Sequence, residues 1–397
     1  MTSSRMPQIE DALLTMASPD IGQLCELAVK GLVSMFDAES QLFCFRLRRT
    51  QHGFVREGLS QRYTIIALLG LHQLEAAGLH SPIDVRSVLD SLLRDYAWID
   101  NLGDVGLLLW LCALVSPERL MKVYSGLRVE AALARFRGEH QGCTMELAWF
   151  LAGLAHGRLA LPQQRPDLTD LAVNTCHVLT KNQGSHGFFG HMARRGTLAG
   201  VLRGGIGSFA DQVYPIYALT KFAEAYKLQT ALDRARNCGE AICRAQGPQG
   251  QWWWQYDSST GRVFERYPVY SVHQHAMAPM ALFVLGGSAR MDFSSPVHKG
   301  LLWPIANNEL DIDLRDPDSS VIWRSIYVKK RYKSYFRAFL SLLKHRVNTA
   351  SVSDLAVRFE CWSYELGWLL YALARPPRES SNGISTAIAT TTPVTPK

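Results

Sequence analysis

Six stretches of this sequence are apolar on nearly every face of a helix: Tyr63 to Leu79, Val105 to Val115, Met145 to Ala155, Val213 to Ala225, Met277 to Leu285 and Trp362 to Ala374. Helices of that kind must be covered on most sides. The most apolar of them, Val105 to Val115, is too short to cross a bilayer, so the cover has to come from the chain itself. It comes from one-faced segments that alternate with them, near Ile21, Val85, Leu120, Leu168, Leu232 and Phe336. In the first, Ile21, Leu24, Cys25, Ala28, Leu32 and Met35 recur at three-and-four spacing, and in the second Val85, Val88, Leu89, Leu92 and Tyr96 do so. Alternation of the two kinds predicts an all-α fold of about six helical hairpins, an α/α toroid in which an inner ring is sheathed by an outer one.

Ser-Pro pairs at Ser18-Pro19, Ser81-Pro82 and Ser116-Pro117 precede outer helices, with Ser expected as the cap and Pro in the first turn. A chain of 397 residues exceeds the usual single domain, but a ring adds core as it grows, so one toroid over 18–375 is expected. Residues 1–17 read as an extension. The Ser-, Thr- and Pro-rich 376–397 read as a disordered tail. Within 286–333 the alternation breaks. Asn307, Asn308, Glu309, Asp311, Asp313, Asp316 and Pro317 are turn-rich, and Val321 to Val328 alternates as a strand does, which predicts a small β-hairpin insertion.

Two hairpins share a signature. Leu179-x3-Gln183-x3-Gly187-x-Phe189 recurs as Ile242-x3-Gln246-x3-Gly250-x-Trp252. The pattern resembles the QW repeat of the terpenoid cyclase and protein prenyltransferase superfamily, with Phe189 in place of Trp in the first copy. That resemblance implies the α/α toroid, an architecture that carries many chemistries. At the architectural level the chain is also similar to six-hairpin glycosidases, polysaccharide lyases and sugar epimerases.

The loops are asymmetric. Connections into inner helices are long at Asp37 to Glu57, Gly184 to Ala210 and Gly247 to Tyr270, whereas the returns at Val115 to Pro117 and Tyr226 to Thr230 are short. The rim bearing the long loops is the expected functional mouth, with the positive ends of the inner helices facing it. Acids stand near the starts of inner helices at Asp104, Glu146, Asp211 and Glu360. An unpaired carboxylate there would be costly to bury, so each should face the cavity, cap its helix or pair with a cation such as Arg62. The run Trp252-Trp253-Trp254-Gln255-Tyr256-Asp257 leads into His273-Gln274-His275. Its rings suit a sugar or a carbocation, although three consecutive tryptophans cannot all point inward. His273 and His275 would splay apart on a helix, so one metal cannot take both.

These residues give the expected site: Asp104, Glu146, Asp211, His273 and His275 for proton transfer, and Arg62, Tyr214, Trp253, Tyr256, Gln274 and Glu360 for binding. No cofactor is expected. Cys176-His177 is similar to a fragment of the zinc site of lanthionine cyclases, but the Cys-His-Gly context is missing, so no metal is expected either. Eight dispersed cysteines without a C-x-x-C pair read as buried reduced thiols, and with no signal-peptide pattern the protein is expected in the cytoplasm.

A net charge of +7 favours an anionic small molecule or glycan. It does not imply nucleic acid: the one dense basic run, Lys329, Lys330, Arg331, Lys333 and Arg337, accompanies no binding motif. The flexible Gly184 to Gly207 loop, with His186, His191, Arg194, Arg195 and Arg203, reads as a lid. A protonating cyclase would carry Asp-x-Asp-Asp on a cavity helix, whereas Asp311-Ile-Asp313 lies in the irregular insertion, and no Asp-x-Cys of a prenyltransferase occurs. A carbohydrate-active enzyme for an acidic sugar or polysaccharide, of hydrolase, lyase or epimerase type, therefore ranks first. An isoprenoid-processing enzyme or a non-catalytic binding toroid is the alternative.

Overall fold

The computed structural model describes residues 20–136, 143–162, 166–192, 204–329 and 351–374. The expected extension 1–17, the tail, the helix near Phe336, the basic run beyond Lys329, and Arg194, Arg195 and Arg203 lie outside them. Each hairpin runs from an outer to an inner helix: α1 (Ile21–Met35) to α2 (Gln61–Ala76), α3 (Val85–Leu92) to α4 (Leu102–Val115), and α5 (Leu120–Leu127) with α6 (Val129–Arg135) to α7 (Thr144–Ala160). The chain continues from α8 (Pro166–Thr180) to α9 (Ala210–Tyr226), from α10 (Gln229–Arg244) to α11 (Ala278–Ala289), and from α12 (Ser294–Leu302) to α13 (Ser363–Leu373). A π turn at His273–Met277 leads into α11. The six inner helices pack in sequence and α13 packs on α2, which closes the ring.

Small residues let the inner helices approach on faces a side chain would hold apart. A Cβ on Gly70 would lie 2.2 Å from the Gly367 carbonyl oxygen, and one on Gly153 would lie 2.3 Å from that of Gly106. The lumen is then filled by aromatics reaching across it. Trp110 of α4 stacks on Tyr217 of α9 with centroids 4.6 Å apart and meets Trp368 and Tyr371 of α13. The Tyr217 and Tyr371 hydroxyls are 2.5 Å apart, and His156 Nε2 lies 2.9 Å from Tyr217 Oη. Burying side chains of this size contributes roughly 1.5–3 kcal/mol each.

Two sequence expectations about caps give way to carboxylates. Asp20 accepts from Gln23 N–H and Asp84 from Ser87 N–H, so the charged acids next to α1 and α3 cap them. An anion there also meets the helix dipole, which a serine does not do as well. Ser116 heads only a 3-10 turn, Pro117–Arg119, with no side-chain cap.

The long connections carry antiparallel strands. β1 (Phe36–Asp37), β2 (Leu42–Thr50) and β3 (Gly53–Leu59) form a meander in a stretch expected to be loop, and β12 (Glu360–Trp362) joins β2 with Cys361 opposite Leu47. β4 (Ile206–Ser208), β5 (Gln255–Asp257) and β6 (Arg262–Glu265) form a second sheet. The expected insertion is more than one hairpin. β8 (Arg315–Asp316) pairs with β9 (Val321–Ile322), while β10 (Ser325–Val328) lies between β7 (Val269–Tyr270) and β11 (Leu355–Arg358).

The repeated signature is a pair of glutamine clamps. Gln183 Nε2 donates to the Gly187 and Arg234 carbonyls, and Gln246 Nε2 donates to those of Gly250 and Pro296. Both glycines sit at φ +94°, where a side chain is strained. A second pair follows. Gln212 holds Phe189 through its N–H and carbonyl, and Gln274 holds Trp252 in the same way.

Candidate active site

Because every outer helix is joined to its inner partner by the longer connection, all six inner N-termini open onto one rim. Their first turns carry Arg62, Asp104, Glu146, Asp211 and Glu365, with His273 at the head of the π turn. Arg62 grips Asp104 with Nε 2.6 Å from Oδ1 and a terminal nitrogen 3.0 Å from Oδ2. The Asp104 side chain, only 2% exposed, also accepts from Asp100 N–H. Glu146 is half-buried on the neighbouring first turn, and its charge acts on the same guanidinium. Gly103 permits this proximity, since a Cβ there would come 3.3 Å from the Glu146 Cα.

Across the rim Arg324, delivered by the stretch before β10, pairs with Glu365 at 2.5 Å. Its guanidinium carbon lies 3.3 Å from the Trp362 ring centroid and 4.9 Å from that of Tyr270. The other Glu365 oxygen accepts from Trp362 N–H. Burial pushes Glu365 up to about 7, while Arg324 pulls it back. Half-buried rings connect the two ion pairs. Tyr63 lies 4.7 Å from Tyr364, 4.9 Å from Phe45 and 5.9 Å from Trp362. Trp254 lies 5.1 Å from Tyr270. The result is a rim basin lined by half-buried rings, with a guanidinium on either side. An open cavity of about 640 Å³ on the opposite rim, among Lys221, Glu224, Lys227 and Phe283, has no comparable arrangement of rings and carboxylates.

The structure thus brings Arg62, Asp104 and Glu146 together, with Glu360 on β12. Glu360 accepts from Trp362 Nε1 at 3.1 Å and faces Arg46 at 3.4 Å, so it orients the Trp362 ring. Several other expected residues are buried in packing contacts. Tyr256 is fully buried, stacks on Phe188 and accepts from Trp253 N–H. Gln274 is consumed by its clamp. Trp253 is buried between Tyr267 and the Arg266 guanidinium. Tyr214 is buried between Trp149 and Trp368, beneath the rim.

The two histidines expected for proton transfer lie in the packed interior. His273 packs on Phe209 and stacks with Trp254, and burial pulls its pKa down to about 3. His275 has no exposed surface and no partner for either ring nitrogen, and burial takes it to about 3 as well. Both rings are therefore neutral imidazoles near neutrality.

Asp211, on the helix next to that of Glu146, has partners of its own. Its Oδ2 accepts from Ser208 N–H and Oγ–H, both at 2.9 Å, and lies 3.2 Å from His191 Nδ1. The hydrogen bond to Asp211, and then that to Cys143, push His191 up to about 11. Arg324, Glu365, Tyr63, Trp362, Tyr364 and Cys143 escaped the sequence reading. The one available signal was Arg324, a charge inside the alternating Val321–Val328 stretch.

No protein-family model matches this sequence, and no curated protein is similar to it. Solved structures are. A possible member of the GH105 family from Salmonella enterica superposes with a TM-score of 0.57 at 11% identity, over 91% of this chain and 94% of its own. An unsaturated glucuronyl hydrolase from Bacillus sp. GL1, described as responsible for the degradation of glycosaminoglycan, gives 0.55 at 13% identity over 90% and 96%. A glycosyl hydrolase of family 88 from Bacteroides vulgatus gives 0.54 at 11% identity over 89% and 98%. The chain shares their fold. Identity this low carries architecture and not chemistry. The terpenoid cyclase resemblance has no counterpart among these structures, and the QW-like segments are accounted for as clamps.

Proposed function

We propose that this chain is a carbohydrate-active hydrolase that takes an acidic sugar, free or at the end of a polysaccharide, into the toroid mouth. The observation that carries this reading is the basin of Tyr63, Trp362 and Tyr364 set between the Arg62–Asp104 and Arg324–Glu365 pairs. Ring faces stack on the hydrogen-bearing face of a pyranose, and guanidinium forks match a sugar carboxylate. Glu146 is the acid assigned to proton transfer at the glycosidic oxygen. Asp104, oriented by Arg62, is the ionised partner that stabilises positive charge developing on the ring. The acidic-sugar hydrolases among the structural neighbours support the reading without deciding it. An isoprenoid site is disfavoured by the plug of Trp110, Tyr217, Trp368 and Tyr371, which fills the lumen among the described residues.

The test is turnover of uronic-acid-terminated oligosaccharides, saturated and unsaturated, by wild type and Glu146→Gln. Loss of about 10²–10⁴-fold in kcat at unchanged melting temperature is expected. A wild-type rate in the variant, or neither binding nor turnover across the panel, overturns the proposal. Binding without turnover establishes the second reading, a binding toroid, which is favoured by the commitment of the buried carboxylates Asp104, Asp211 and Glu365 to partners of their own.

A further inference from the structure

Outside the aromatic basin, one cluster of ionisable groups on the same rim is used by nothing described above. Cys143 precedes the first turn of α7, His191 lies in the connection between α8 and α9, and Asp211 is in the first turn of α9. One ligand atom from each, Sγ, a ring nitrogen and a carboxylate oxygen, lies within 4.8 Å of the other two. We propose that these three residues form a metal site of the zinc class, independent of the hydrolase reading.

Three features support it. First, Asp211 is 98% buried by side chain yet only one of its oxygens is used. Oδ2 serves Ser208 and His191, while Oδ1 is buried with no hydrogen-bond partner. A buried anionic oxygen without a partner is costly, and a cation held with Cys143 and His191 would remove the deficit. Second, the two segments are fixed together before any ion arrives. Thr144 N–H donates to the His191 carbonyl at 2.8 Å, Thr144 Oγ donates to that of Gly190 at 2.5 Å, and Asn182 Nδ2 donates to Thr144 Oγ at 2.8 Å. Ser208 orients the carboxylate from behind, the arrangement in which outer hydrogen bonds aim a ligand. Third, Cys143 Sγ lies 4.0 and 3.9 Å from the two nitrogens of His191, almost equally. A base activating a thiol would direct one nitrogen at the sulfur, whereas this ring presents both nitrogens at the long end of the sulfur hydrogen-bond range.

Thiolate, imidazole and carboxylate together select a borderline-soft divalent ion and suit tetrahedral zinc. Three protein ligands leave the fourth position for water or a ligand. The His191 side chain is 47% exposed, so that position opens to the rim. The repeat-related hairpin places His273 where the fourth carries Asp211, packed among rings, so the cluster is particular to one hairpin.

The experiment uses the full chain, stripped with a chelator and titrated with zinc chloride against a chromophoric competitor, with cobalt(II) as a second probe. One zinc per chain is expected, and cobalt should give the near-ultraviolet thiolate charge-transfer band. Cys143→Ser and Asp211→Asn should abolish stoichiometric binding and the former should abolish the band, at unchanged far-ultraviolet circular dichroism. His191→Ala is a further ligand variant, at a partly exposed position, should Cys143→Ser not fold. Ser208→Ala should weaken zinc by roughly 10–100-fold. Substoichiometric binding by the wild type, or one zinc retained in the folded ligand variants, overturns the proposal. Because the readout is metal content, its failure is distinct from failure of the hydrolase assay.

Discussion

Replacing Gly250 by alanine tests the clamp at its tightest point. The residue sits at φ +94°, and a Cβ would lie 2.2 Å from the Lys299 carbonyl oxygen and 2.4 Å from its carbon. Left-handed backbone costs a non-glycine residue about 1–2 kcal/mol. The overlap is with backbone of α12, which cannot rotate away as a side chain would, and overpacking of that kind adds about 1–3 kcal/mol. Movement of the turn also loosens the Gln246 Nε2 bond to the Gly250 carbonyl, now 3.0 Å, worth about 1 kcal/mol. The expected loss is about 2–6 kcal/mol.

Two controls separate the causes. Gly78, at φ +80° with nothing within 4 Å of a Cβ, should show the backbone cost alone. Gly287, exposed in α11 with nothing within 4 Å, should gain about 0.5–1 kcal/mol as alanine. Urea unfolding followed by tryptophan fluorescence and circular dichroism, with coincident transitions, measures all three. If Gly250→Ala costs no more than Gly78→Ala, the clamp does not hold α12 and the reasoning fails.

Other consequences are equally open to measurement. Trp252→Ala should cost roughly 3–5 kcal/mol, since the side chain is fully buried under the Gln274 clamp; unchanged stability would place the ring elsewhere. Arg324→Met should cost about 3–5 kcal/mol by stranding Glu365, and pairing it with Glu365→Gln should restore most of that; additive losses in the double variant would refute the coupling. His156, His273 and His275 are held near 3 by burial, whereas the unfolded chain takes up their protons near 6.5. Their contribution is therefore intact above about pH 6.5 and is lost as pH falls below it, each by about 1.4 kcal/mol per pH unit. Glu365, raised to about 7, opposes them with one proton, so urea midpoints should still fall between pH 6.5 and 5, and His273→Gln should flatten the fall. A flat or rising profile there would sink the assignment.

The ring was legible because its inner helices are apolar all round. Val105 to Val115 became Leu102–Val115, and Val213 to Ala225 became Ala210–Tyr226. The sixth outer helix was not legible. Ser294–Leu302 offers only Val297, Gly300 and Leu301 to the core, too few to register as a period. The β2–β3 meander was missed because Arg46, Arg48 and Arg49 make its strand look like polar loop, although Glu57 pairs with two of them. Of the site, Arg62 with Asp104 could be anticipated, since an acid at an apolar helix start needs a cation. Arg324 with Glu365 could not, because tertiary folding joins a strand entrance to a helix that otherwise reads as core. Cys143 and His191 come from two separate connections and Asp211 from the first turn of α9, so no spacing announces them.

Closure of the ring sets a condition on biosynthesis. Residues 46–48 pair with 360–362, Ser363 Oγ donates to the Cys44 carbonyl, and Gly31 and Gly70 are the seats for Leu366 and Gly367. The α1–α2 hairpin therefore leaves the ribosome with an apolar face whose partner is still nearly three hundred residues from being translated. During that interval the nascent chain presents an open arc with two sticky ends, a natural client for a chaperone and a natural template for exchange between neighbouring chains on one message. A version permuted to begin between α12 and β10, with its original ends joined by a linker, would bring those two edges together early. It should refold with less aggregation than the native order.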